Sequence, residues 1–514
     1  MLDAGNLWEL LEARVAATSD APFAIDQDGR VLTFAEYRAE AERAAAGLAR
    51  LGVGEGDVVS WQLPTWLESL VLVAALSRLG AIQNPMLPIY RQREVSFVTR
   101  QAQSKLFIVP GTWRNFDYEA MAREIAAGQP GLEILVANKS LPQGDPTTLP
   151  PPPAALASAD ELPVRWYYYT SGTTADPKGA QHTDASIKAA AIGMCERLEV
   201  TEADRIGCVF PFTHVAGAVY IFSALAFGCT MLVVEAFDAE GTPPVLARNG
   251  VTLAGAGTPF HMAYLAYQRN HPEVTPLFPE ARAYIGGGAP KPPALHFECK
   301  SELGGVGIVS GYGMTEAPIV TMASVGDSDE VLAGTEGRAV SGVELITVKL
   351  DGTRAGAGEE GEIRVKGPMV MRGYLDSALD ADAFDADGFL RTGDLARLDT
   401  DGNVAITGRV KDIIIRNMEN ISAKEVEDLL FTHPAVADVA VIGLPDAKTG
   451  ERVCAVVVLA EGADAPALAD LAEFTVANGL AKQKTPEQLE VVEALPRNPT
   501  GKILKYELRD RFKG

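Results

Sequence analysis

The chain has 514 residues and a net charge of −23, with 47% hydrophobic and 22% charged residues. Domains usually run ~100–200 residues, so two or three are expected, and wholesale disorder is excluded. An acidic surface repels phosphate backbones, which argues against DNA or RNA as a partner. Any anionic ligand must be held by a local set of donors.

The first residues, Met1-Leu2-Asp3-Ala4-Gly5-Asn6, carry neither a basic nor an apolar leader, so no signal peptide is expected. Thr33 and Glu36 precede the apolar series Phe34, Tyr37, Ala41, Ala44, Leu48 and Leu51, with Gly52 as a stop, which predicts a capped amphipathic helix. A strand over 57–63, a buried helix over 66–79, a helix over 95–104 and a short buried strand over 106–109 follow. This alternation is that of a mostly parallel sheet. The proline run 150–153 reads as a surface connection, and 164–170 as a strand feeding a Gly/Thr loop. The uncharged run 215–234 is interrupted by Gly217, Ser223, Gly228, Cys229 and Thr230 and ended by Glu235, so it reads as a buried helix entering a strand rather than a membrane span.

Gly-punctuated short strands over 344–370 predict a small antiparallel or barrel-like subdomain. Ser422 and Glu425 form a second capping-box pattern, His433-Pro434 stops that helix, and strands are expected over 437–442 and 453–459. The five cysteines, Cys195, Cys208, Cys229, Cys299 and Cys454, are widely spaced and mostly within apolar runs. They read as reduced core residues of a cytoplasmic protein.

The segment Thr170-Ser171-Gly172-Thr173-Thr174-Ala175-Asp176-Pro177-Lys178-Gly179 concentrates hydroxyls, flexible backbone and a cation after a strand, features suited to holding phosphate. It lacks the Gly-Lys-Ser/Thr order of P-loop NTPases. It resembles the phosphate loop of the adenylate-forming superfamily, which contains acyl-CoA synthetases, firefly luciferase and the adenylation domains of peptide synthetases. The likeness continues in order through Gly286-Gly287-Gly288-Ala289-Pro290, Gly311-Tyr312-Gly313-Met314-Thr315-Glu316, Arg391-Thr392-Gly393-Asp394, Gly408-Arg409-Val410-Lys411-Asp412 and Pro496-Arg497-Asn498-Pro499-Thr500-Gly501-Lys502.

The resemblance implies an α/β fold: a large N-terminal domain of α/β sheets plus a small β-rich subdomain over 1–408, and a small mobile C-terminal domain over 409–514. It implies ATP, Mg2+ and coenzyme A as ligands, with a small carboxylic acid as substrate. Tyr312 between glycines can lie under a purine, the Thr315 hydroxyl can donate to the α-phosphate, and Glu316 can hold Mg2+ through oxygen or water. Seen alone, Tyr312 would read as a core aromatic and Glu316 as a solvated acid. Asp394 offers two acceptors to ribose hydroxyls, and Arg409 a second ribose or phosphate contact. By resemblance Lys502 bridges the substrate carboxylate and the α-phosphate, Lys411 marks the hinge, and His214 gates the acyl pocket. Val215, Ala216 and the turn 258–260 line that pocket by position, and Gly286 and Gly313 border the acid. Gly288, Ala289, Pro290, Gly311 and Met314 border the nucleotide.

Three departures stand out. Ala175 replaces the glycine usual after the paired threonines, Asp184 stands where relatives place a histidine, and Asn417-Met418 replaces the Gly-Gly usual before Glu419-Asn420. The last lies at the loop that walls the pantetheine tunnel in acyl-CoA synthetases. Met418 narrows that tunnel or flexes around the thiol arm. The expected activity is a carboxylate–CoA ligase acting on a medium-chain, alicyclic or aromatic acid. An acyl-AMP ligase that loads a carrier protein and a non-catalytic adenylate or acyl-CoA sensor are the alternatives. The motifs leave monomer and homodimer equally open.

Overall fold

Local signals and long-range packing agree at the first helix pair. Thr33 Oγ1 accepts from the Glu36 N–H at 3.2 Å, and Glu36 Oε2 accepts from the Thr33 N–H at 2.9 Å, so both halves of the capping box form ahead of helix Phe34–Arg50. Its stripe of Phe34, Tyr37, Ala41, Ala44 and Leu48 is wholly buried, and the Tyr37 hydroxyl donates to Leu70 O at 3.0 Å, docking it on helix Leu67–Leu79. That second helix ends on Gly80, whose φ of 70° closes the last turn. The computed structural model describes residues 1–153, 162–170, 177–288, 291–417, 419–446, 448–497 and 502–513.

Two sheets build the N-terminal domain. A six-stranded sheet runs Lys178–Thr183, Val164–Thr170, Ile82–Pro85, Val58–Trp61, Leu106–Val109, Glu133–Val136; only its first strand is antiparallel to its neighbour. A nine-stranded sheet holds the parallel strands Ile308–Met314, Ala283–Gly286, Leu253–Ala254, Arg205–Cys208, Thr230–Val233 and Pro22–Asp26, with antiparallel strands at both edges. Helix Val215–Phe227 turns through Gly228, φ 83°, into strand Thr230–Val233, as the breakers in that run predict. No described helix is long and apolar enough to cross a membrane. All five cysteines are buried and free.

A four-stranded antiparallel sheet, Glu344–Val348, Glu360–Lys366, Leu390–Leu398 and Val404–Arg409, confirms the small β unit and extends it beyond residue 370. A short turn, Val410–Asp412, then leads to a five-stranded sheet with cores of its own. Helices Ala423–Leu430 and Leu468–Ala477 cover one face of that sheet and Lys505–Phe512 the other. Apolar residues thus cluster separately before and after the turn.

Two local signals play out differently from expectation. The helix placed at 95–104 spans Gln92–Gln101, because Glu94 Oε2 accepts from the Arg91 N–H at 3.1 Å and starts it a turn early. At Ser422 only half of the expected box forms. Ser422 Oγ accepts from Glu425 N–H, while the Glu425 carboxylate pairs with Lys484 Nζ at 2.6 Å instead of reaching back.

Candidate active site

Strands Ile308–Met314 and Ala317–Met322 form a hairpin whose turn is Thr315-Glu316. Glycine is required within it: a Cβ on Gly313 would lie 1.9 Å from Pro318 O, and one on Gly311 2.5 Å from Met322 Sδ. Between them Tyr312 is buried, and its hydroxyl donates to Asp394 Oδ2 at 2.7 Å. Burial, and next the Asp394 charge, hold that phenol far above the ordinary range, so it donates rather than ionises. Asp394 faces Arg409 across adjacent strands, with Arg409 Nε 2.6 Å from Asp394 Oδ1. An aromatic ring, a carboxylate and a cation therefore share one corner.

Lys502 reaches that corner from the C-terminal domain. The residue is solvent-accessible, yet its ammonium has protein around it and Arg409, Asp394, Lys411 and Asp412 as charged neighbours. Burial and then the like charge of Arg409 lower it to about 8, against the pull of Asp394. Because the residue is solvent-accessible these effects are screened, so they bear on how readily the proton leaves rather than on fold stability.

A second cluster surrounds the hairpin turn. Glu316 is buried, and the Tyr374 hydroxyl donates to its Oε1 at 2.6 Å. The Tyr374 ring lies 5.4 Å from Lys178 Nζ, and Lys178 pairs with Thr170 across strands Val164–Thr170 and Lys178–Thr183. Ser171, Gly172, Thr173 and Thr174, like Ala289, Pro290 and Met418, lie outside the described residues. Gly286 ends its strand beside Ser310, and Gly288 has φ 73°, a conformation that favours glycine. Among the described residues no three His, Cys, Asp or Glu side chains gather as a metal cage. A single buried carboxylate with one oxygen already engaged suits Mg2+, which keeps waters and takes substrate phosphates as ligands.

His214 caps helix Val215–Phe227, its Nδ1 accepting from the Ala216 N–H at 3.3 Å, and burial lowers it to about 4. It is therefore neutral near pH 7, with its proton on Nε2. Val215 is buried beside it and Ala216 half-buried.

The family model described as AMP-binding enzyme matches residues 11–375, and that for the AMP-binding enzyme C-terminal domain matches 425–502. The chain belongs to the AMP-binding enzyme family. It is 32% identical to the medium-chain fatty-acid–CoA ligase of Escherichia coli, over 98% of this chain and 90% of that protein. It is 34% identical to the salicyl-AMP ligase / salicyl-S-ArCP synthetase of Mycobacterium tuberculosis, over 92% and 84% respectively. The crystal structure of ATP-bound MatB from Rhodopseudomonas palustris superposes with a TM-score of 0.88 at 28% identity, covering 99% of each chain.

Two supports of this AMP-binding enzyme's site escape the motif reading. His182, wholly buried, lies with Nε2 2.8 Å from Thr315 O and Nδ1 3.0 Å from Ser186 Oγ. A carbonyl only accepts, so the imidazole proton is on Nε2. Burial lowers His182 to about 4, the Thr315 carbonyl acting in the opposite sense. Asp184, two residues on, instead accepts from Trp166 Nε1 at 2.8 Å and from the Leu7 N–H at 3.0 Å. Tyr374 is the other support. By contrast, Glu419 and Asn420 are exposed, and Asn420 lines a groove of about 290 Å3 with Leu350, Leu395 and Ile413. Asn417 begins their hairpin turn at φ 50°, which asparagine tolerates better than most residues.

Proposed function

We propose that this AMP-binding enzyme is an ATP-dependent carboxylate–CoA ligase. The observation that carries the reading is that Lys502, from the C-terminal domain, has Asp394 and Arg409 among its charged neighbours, the same Asp394 that accepts from Tyr312 and pairs with Arg409. In the first half-reaction the acid's carboxylate oxygen attacks the α-phosphorus of ATP. An acyl-AMP anhydride forms and the bond to pyrophosphate breaks. Lys502, Thr315 and the 170–178 loop stabilise the charge that develops there, and Asp394 and Arg409 orient the ribose. Glu316 would hold Mg2+, which would supply charge neutralisation on the phosphates. In the second half-reaction a thiol attacks the acyl carbon and AMP leaves. The mixed anhydride gives both steps a good leaving group, so no side-chain nucleophile is needed.

We place the domain boundary at 408/409 and the hinge at Lys411. After the first step the C-terminal domain turns about it, bringing Glu419, Asn420 and Met418 towards the thiol. Separate apolar cores on either side of the Val410–Asp412 turn support this division. The acid is uncharged beyond its carboxylate, since an apolar pocket at Val215 and Ala216 leaves a second buried charge unpaired. A medium-chain, alicyclic or aromatic acid fits best, in keeping with the Escherichia coli relative. Buried free cysteines support a cytoplasmic setting. The site residues all come from one chain.

The relation to the salicyl-AMP ligase, together with Asn417-Met418, favours a second reading in which the acceptor thiol belongs to a carrier protein. Assaying product mass with CoA, and separately with a phosphopantetheinyl carrier, separates the two.

A further inference from the structure

Three observations meet at Tyr374, which lies outside the six motifs quoted above. Its hydroxyl donates to Glu316 Oε1 at 2.6 Å, its ring lies 5.4 Å from Lys178 Nζ, and the residue is 6% exposed. Its backbone is held as well. The Tyr374 N–H donates to Asp380 Oδ1 at 2.8 Å, and its carbonyl accepts from Gln181 Nε2 at 3.0 Å. Flanking bonds from Arg372 N–H to Gln181 O at 2.8 Å and from Gln181 N–H to Gly373 O at 3.0 Å tie 372–374 to the strand Lys178–Thr183. The phenol is thus fixed relative to the strand that ends the phosphate loop, and the Glu316 carboxylate is fixed relative to the phenol. With Oε1 engaged, the carboxylate cannot rotate freely.

We propose that Tyr374 is a positioning residue with two separable tasks. Its hydroxyl holds Glu316 in the orientation that takes the metal of Mg·ATP, and its ring seats Lys178 beside the same phosphates. The inference rests on the ligase reading above, because it assigns Glu316 to the metal and Lys178 to phosphate. The physical precedent is general: hydrogen-bond partners of a ligand group fix its geometry, and their loss costs about 10–100-fold in metal affinity.

The test uses the full-length enzyme and two variants. Tyr374→Phe keeps the ring under Lys178 and removes the hydroxyl, whereas Tyr374→Leu removes both. Mn2+ binding, read by electron paramagnetic resonance in the presence of a non-hydrolysable ATP analogue, is expected to weaken about 10-fold or more in Tyr374→Phe. The analogue's own affinity without metal should stay within about twofold in Tyr374→Phe and fall further in Tyr374→Leu. Thioester formation from synthetic acyl-AMP should be unchanged in both. Because a buried substitution also perturbs packing, Glu316→Gln and the double variant complete a cycle. If Tyr374 acts through Glu316, the double variant binds Mn2+ no worse than Glu316→Gln alone. Wild-type Mn2+ affinity in Tyr374→Phe, or full additivity in the cycle, overturns the proposal. Failure of the wild type to release pyrophosphate with any acid would instead overturn the ligase reading on which it rests.

Discussion

In the proposed ligase Lys502 is the residue on which the chemistry turns, and its protonation is set by where it sits. Burial, then Arg409, lowers its ammonium to about 8, so the charged form dominates at neutral pH and is lost as pH rises through that value. The kcat/KM for acid-dependent pyrophosphate release should therefore fall above about pH 8. Lys502→Arg keeps its charge at all these pH values, so it should be slower but lack that alkaline limb. A limb of equal position in the variant would assign it elsewhere. His182 makes a different pH statement. Its folded value of about 4 lies below the ordinary 6.5, so the unfolded chain takes up the proton first on acidification. Stability from this group is complete above pH 6.5 and falls as pH drops towards 4, by about 3 kcal/mol in all. His182→Gln retains a donor for Thr315 O and should show a shallower loss of melting temperature between pH 7 and 4.5. His214, His261 and His296 are lowered in the same sense, so part of the slope remains. An unchanged slope would mean that His182 does not titrate as its burial implies. The motif residues Tyr312, Asp394 and Arg409 were legible because each lies within a short recognisable run. Their supports were not: His182 is 133 residues from Thr315 and Tyr374 is 58 from Glu316, and no local pattern announces such pairs.

Among elements, those whose signals are local came through intact. Thr33 and Glu36 close their box, strand Val164–Thr170 has the expected limits, and the breakers after Phe227 end the buried helix where Gly228 turns it. Where a distant partner competes, the local signal fails. Glu425 leaves its box for Lys484, 59 residues away, and no spacing rule foresees that. The hairpin that carries Thr315 and Glu316 has the tightest steric demand near the site. A Cβ on Gly313 would sit 1.9 Å from Pro318 O, so Gly313→Ala must move one strand against the other. That variant should keep native far-ultraviolet circular dichroism yet lose at least about 10²-fold in adenylation rate, as for the loss of a preorganised donor. Near-wild-type adenylation would show that the turn tolerates the shift and that its geometry is not critical.

At the scale of the whole molecule, the division of labour between the domains is the consequence most open to test. Lys502 has Arg409 and Asp394 of the nucleotide corner as charged neighbours, while Glu419 and Asn420 are exposed. On the proposed reading Lys502 serves adenylation alone. Lys502→Ala should lose acyl-AMP formation by about 10²–10³-fold or more and form thioester from synthetic acyl-AMP at nearly the wild-type rate. Equal losses in both half-reactions would contradict the assignment. The two-domain α/β architecture was legible because six ordered motifs span most of the chain. The acid was not, since the apolar side chains proposed to line its pocket, Val215 and Ala216, would admit many carboxylates and discriminate among them by only about 1–3 kcal/mol per methylene.

The most direct measurement is pyrophosphate release over a panel of short, medium-chain, branched, alicyclic, aromatic and steroid carboxylates, with and without CoA, followed by product mass. A carboxylate–CoA ligase should release pyrophosphate with at least one medium-chain, alicyclic or aromatic acid and yield the matching acyl-CoA mass only when CoA is present. Release with no acyl-CoA product, or silence across the whole panel, would contradict that account.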